Sequence, residues 1–137
     1  MANTRSLGLD IGDKRVGVAL SDPQGILASP LTIIDRADDR SDIEAIVSII
    51  NQNQVSQVII GLPLSMNGSV GPQADKVKAF AQELGKYIEV PIEFRDERLT
   101  TVSAQRLMRM SGKSKKARDD AAAATLILQG YLDERLA

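Results

Sequence analysis

Residues 6–21 read SLGLDIGDKRVGVALS, and the fold is decided in this stretch. Ser6 to Asp10 is a short apolar run that ends in a carboxylate, and Arg15 to Leu20 is rich in Val and Ala around Gly17. Between them Gly12-Asp13-Lys14 is a turn signal, so the two runs predict a hairpin. Leu27 to Ile34 supplies a third strand. Pro30 within it cannot donate to a ladder, which places that strand at an edge or a bulge. Three consecutive strands of this kind can form an antiparallel meander.

Working outward, Ser41-Asp42-Ile43-Glu44 has the form of a capping box. Ile43, Ile46, Val47 and Ile50 follow at helical spacing and predict a helix to about Asn51. Val55 to Gly61 is short and β-branched, as expected of a strand buried on both faces. Leu62 to Pro72 reads as a loop, and Pro72 suits the first turn of a helix striped by Val77, Phe80, Ala81 and Leu84. Val90 to Phe94 is a fifth strand. Leu99 to Met110 reads as a helix capped by Thr100 or Thr101. Ser111 to Ala117 is a polar, basic break, and Arg118 to Leu136 a last helix, buried where Ala121 to Leu128 is apolar all round. Strands separated by helices pair in parallel through right-handed crossovers. The expected class is therefore α/β: a mixed five-stranded sheet, three antiparallel strands and then parallel ones, flanked by helices. The 137 residues, 43% hydrophobic and 26% charged, suit one globular domain over 1–137.

Cysteine, histidine and tryptophan are absent. That excludes disulfides, thiol nucleophiles, Cys/His zinc sites and histidine bases. Carboxylates, hydroxyls, lysines and arginines remain, which favours hard-metal or phosphate chemistry. The net charge is only -1, but eight of the 17 basic residues lie between Arg95 and Arg118. Such a stretch is either a phosphate-contacting face or a solvated one. No targeting segment or membrane-spanning run is visible, so the cytoplasm is the expected compartment.

Three acidic positions stand out. Asp10 ends the first strand, with Gly12 letting a ligand approach the backbone and Lys14 and Arg15 bringing positive charge to the same turn. Asp96-Glu97-Arg98 closes the fifth strand. Strand ends at one edge of a parallel sheet gather at a common site, so this pair can face Asp10, or else cap the helix at Leu99. Asp119-Asp120 opens the last helix beside four alanines, either near the sheet or as a charge at the helix N-terminus. Such a set without histidine suits magnesium or manganese, and two ions about 3.5–4 Å apart could activate water on a phosphodiester. Gly68, Ser69 and Gly71 could offer backbone donors to a phosphate. Lys113-Ser114-Lys115-Lys116 suits neutralising a nucleic-acid backbone. With two Phe and two Tyr, base stacking is poorly supported.

Four segments in order resemble the YqgF family, also called RuvX: residues 9–22 (LDIGDKRVGVALSD), 58–63 (VIIGLP) with Asn67-Gly68-Ser69, 96–101 (DERLTT), and 120–124 with 127–132. The resemblance covers essentially the whole chain. It implies an RNase H-like fold and places the family's acidic positions on Asp10, Glu97 and Asp120. It further implies metal-dependent phosphodiester cleavage that matures the 5′ end of 16S rRNA. A Holliday junction resolvase acting on branched DNA and a non-catalytic RNA-binding factor are the alternatives. On this reading Asp10 bridges two magnesium or manganese ions, Glu97 and Asp120 complete the shell, and Lys14, Arg15, Arg98 and Thr100 position phosphate. The partner is pre-16S rRNA or a ribosomal particle, with no membrane, for a monomer or homodimer. RuvC-like enzymes carry an acid after the fourth strand. Here that position reads Gly61-Leu62-Pro63, so Glu97 must compensate, and Asp119 adjoins Asp120 as a rival ligand.

Overall fold

Alternation along residues 6–21 gives the first hairpin two different faces, and the rest of the fold is built on that difference. The computed structural model of the chain describes residues 5–65, 67–97 and 115–136, the side chains of 115–120 and 136 excepted. Strands β1 (Ser6–Ile11), β2 (Arg15–Ser21), β3 (Ala28–Asp35), β4 (Gln57–Leu62) and β5 (Ile92–Asp96) form one sheet in the order β3-β2-β1-β4-β5. β1–β2 and β2–β3 pair antiparallel, β1–β4 and β4–β5 parallel. Helices α1 (Asp39–Gln52), α2 (Pro72–Gly85) and α3 (Lys115–Leu136) accompany it. None of them is long and apolar enough to cross a membrane.

Leu7, Leu9 and Ile11 of β1, with Val16 and Val18 of β2, point to one face and meet Ile46 of α1 and Val77 and Phe80 of α2. The other face carries small residues: Gly8 and Asp10, Gly17 and Ala19, Gly61. Alternation in strands produces this division. α3 lies on the small-residue face, where Ala124, Ile127 and Leu128 pack with Ala19 and Ile59. A Cβ at Gly8 would lie 2.8 Å from the Leu128 Cβ and 2.9 Å from the Ala124 carbonyl oxygen. The helix therefore rests almost on the backbone of β1.

Hydrogen bonds set the direction of α3. The Ala28 N–H donates to Gln129 Oε1 at 2.8 Å, and the Tyr131 hydroxyl bonds Gln57 Oε1 at 3.2 Å. Gln57 is level with Ser6, at the start of β1. α3 thus runs antiparallel to β1, and its first turns lead toward the Asp10 end.

Pro30 proves to mark both an edge and a bulge. Val18 pairs with Thr32 and Ala19 with Pro30, leaving Leu31 as the extra residue. Strand ends shift by one or two residues, as at β1 and β4, and three departures from the sequence expectation have a local cause. The Ser41-Asp42-Ile43-Glu44 box does not cap α1: Asp38 is the N-cap and accepts from the Ser41 N–H at 2.8 Å, while Asp42 is drawn inward to Arg36. β5 runs Ile92–Asp96 rather than Val90–Phe94, because Pro91 has no N–H for the ladder and contributes only its carbonyl, to the Val58 N–H. α3 begins at Lys115, inside the expected basic break, since Lys and Ala favour helix. The expected helix Leu99 to Met110 lies outside the described residues.

Candidate active site

Asp10 is the penultimate residue of β1, half-buried and paired across the hairpin with Gly17. Glu97 follows immediately after β5, two strands away in the sheet. The structure brings these two carboxyl groups into a side-chain hydrogen bond. Two carboxyls can share such a bond only if one holds a proton, and Glu97 is the one that keeps it. Its pKa is pushed up from 4.5 to about 8, chiefly by burial, then by the hydrogen bond to Asp10 and the negative charges of Asp10 and Asp96.

Gly61 explains why this works without an acid after β4. A Cβ there would lie 2.6 Å from Glu97 Oε1 and 2.9 Å from its Cγ, and closer still to Ile127 Cδ1. The Glu97 side chain occupies the room that the missing side chain leaves, and α3 closes over it. Gly61 is thus part of the site. The sequence signal for it was present in the Gly61-Leu62-Pro63 departure, but only as a missing acid. Asp96 lies in register with Leu62, whose side chain serves the opposite face, so it acts on Glu97 through charge.

The other expected residues divide into three groups. Lys14 and Arg15 are exposed at the β1–β2 turn, and Arg15, in phase with Gly17, shares Asp10's face of the sheet. Lys115, Lys116, Asp119 and Asp120 belong to the first turns of α3, on the end that leads toward Asp10, and their side chains lie outside the described residues. Arg98, Thr100 and Lys113 lie wholly outside them. Among the described residues no group of three or more acids could hold a metal ion; two of the expected three are in contact.

Two groups expected to meet phosphate are held within the fold. Arg95, of the basic stretch, has its Nη1 2.7 Å from Glu134 Oε2, and its guanidinium packs against α3 at Gly130, where a Cβ would be 2.7 Å from Nη2. The phosphate donors expected at Gly68 and Ser69 are already engaged. The Gly68 N–H donates to the Ser65 carbonyl at 2.8 Å, and the Ser69 N–H to Asn67 Oδ1 at 3.0 Å, so the loop closes on itself.

Comparison with known proteins identifies relatives of the chain. A family model described as "RuvX: Holliday junction resolvase" matches residues 4–134. A Dehalococcoides mccartyi protein named "Putative pre-16S rRNA nuclease" is 54% identical over 125 residues, 90% of this chain and 94% of that protein. A Roseiflexus protein of the same name is 46% identical over 134 residues, 96% of this chain and 95% of that one. Among solved structures, Thermus thermophilus RuvC in complex with a Holliday junction substrate is similar with TM-score 0.60 and 11% identity, covering 97% of this chain and 96% of that one. A yeast mitochondrial Holliday junction resolvase has TM-score 0.61 and 11% identity, covering 95% and 78%. At such identities the likeness is one of fold, and the expected RNase H-like sheet is the architecture in common.

Proposed function

The chain belongs to the RuvX family, and from that premise we propose that it is a divalent-metal-dependent nuclease that cleaves precursor 16S rRNA near its 5′ end, in the cytoplasm. The observation that carries this reading is the meeting of Asp10 and Glu97, from distant parts of the chain, in one partly buried carboxyl pair. Structure alone gives little reason to keep two acids in contact there, since like charges repel and burial disfavours both. A cation site does.

The donor set fits magnesium or manganese: oxygen ligands, with no histidine or cysteine anywhere in the chain. One or two such ions, once bound, would supply an activated water and charge neutralisation for phosphodiester hydrolysis. The chain's own part is to present the ligands. Asp10 is fixed by its place in the ladder. Glu97 would release its proton to solvent on taking a ligand role, and Asp120 would complete the set from α3. Lys14, Arg15, Arg98 and Thr100 position phosphates near the acids, and Lys113, Lys115 and Lys116 neutralise the nucleic-acid backbone.

A second reading, cleavage of branched DNA, is favoured by the likeness in fold to resolvases. The names of the more similar relatives support RNA. Purified protein with magnesium or manganese should cut a pre-16S leader fragment and leave a four-way DNA junction intact. Junction cleavage with the RNA untouched would replace the first reading by the second.

A further inference from the structure

Arg36, in the short connection between β3 and α1, holds the turn that presents Lys14. Its Nη1 donates to the Gly12 carbonyl at 2.9 Å, and its own backbone N–H donates to the Lys14 carbonyl at 2.8 Å. The rest of the guanidinium is fixed from behind. Nε lies 2.6 Å from Asp42 Oδ2, Nη2 lies 2.8 Å from Asp39 Oδ1, and Cζ stands 5.0 Å from the centre of the Phe80 ring. Asp42 is 2% exposed, and its other oxygen accepts from the Ala37 N–H. One side chain thereby ties the β1–β2 turn to α1 and α2.

Twist-matched two-residue hairpin turns need a positive φ at one or both central residues. Among the described residues positive φ occurs only at Gln54, Gly25 and Gly68, so Asp13 and Lys14 adopt neither of those turns. The turn lacks the twist-matched geometry, and Arg36 holds it from outside through the Gly12 and Lys14 carbonyls. Only a guanidinium reaches a carbonyl and two carboxylates in different directions at once; an ammonium could not keep all three.

We propose that Arg36 is a positioning residue for the nuclease: it acts through Lys14, fixing where that charge meets the substrate phosphate. This rests on the nuclease reading above. The sequence shows Arg36 only as one cation in an acidic stretch, which hides its role.

A double-mutant cycle of Arg36→Lys and Lys14→Ala tests it, read on an RNA leader fragment with manganese. Arg36→Lys should raise KM about five- to tenfold with kcat changed less than about twofold, and should add less than about twofold to KM in the Lys14→Ala background. The paired variant Arg36→Gln/Asp42→Asn leaves no charge buried alone and should give the same dependence on Lys14 if Arg36→Lys folds poorly. Equal effects of Arg36→Lys in both backgrounds, or no effect of Lys14→Ala by itself, would overturn the proposal. If the wild-type protein binds the fragment without cutting it, the nuclease reading fails. The same cycle, read as Kd by fluorescence anisotropy, then judges the clamp: non-additivity sustains it and additivity ends it.

Discussion

Glu97, with its pKa raised to about 8, holds a proton at neutral pH because burial, and then the hydrogen bond and charge of Asp10, favour its neutral form. Its folded pKa of about 8 lies above the ordinary 4.5, so the folded state binds more protons than the unfolded one between those values. Stability from this group is complete below about pH 4.5 and is lost as pH rises through about 8. The metal-free protein should therefore lose Tm across that interval, and Asp10→Asn, which removes a neighbouring charge, should lessen the loss. Asp10→Asn should also abolish cleavage while RNA binding survives, as gel shift beside a cleavage assay would show; full activity with magnesium would defeat the metal mechanism. The sequence pointed to Asp10 and Glu97 because each closes an apolar strand. It could not say which would hold the proton, since that depends on burial and on how near the two carboxyls come.

Elements meet here at glycines, and two of them should respond differently to the same change. In Gly8→Ala the new methyl faces the Leu128 Cβ and a backbone carbonyl, so α3 must lift from the sheet. Urea unfolding should show a loss of about 1–3 kcal/mol. In Gly61→Ala the methyl meets Glu97 and the tip of Ile127, flexible ends that can move aside. Stability should suffer less than in Gly8→Ala, but displacement of Glu97 should lower kcat by about a hundredfold. Equal activity in the two variants would deny Gly61 its role as the seat of Glu97. The periodicity of β1, β2 and α2 was readable because a core face repeats every two or every three to four residues. The start of α1 was not. Asp38 and Ser41 are both good caps locally, and the pull of Arg36 on Asp42, six residues on in sequence, decided between them.

At the scale of the whole molecule, the site exists only in the folded state, so its cation should act on global stability. Manganese at about one hundred times its Kd should stabilise the wild type by about 2.7 kcal/mol and raise its Tm, with little effect on Asp10→Asn. An identical rise in both proteins would place the binding elsewhere. The basic stretch from Arg95 to Arg118 shows the limit of reading charge along a chain. Arg95 is tied to Glu134 and packed against α3, because in β5 it is level with Gly61 and so lies on the face that α3 covers.

The order of elements, the edge position of β3, the buried middle of the last helix and the two strand-end carboxyls were set by local chemistry: apolar spacing, a proline without an N–H, and charges where apolar runs stop. The contact between Asp10 and Glu97, the glycine that makes room for it and the clamp at Arg36 belong to the tertiary structure alone. Each joins residues far apart in the chain, and no local preference determines a distance that packing sets.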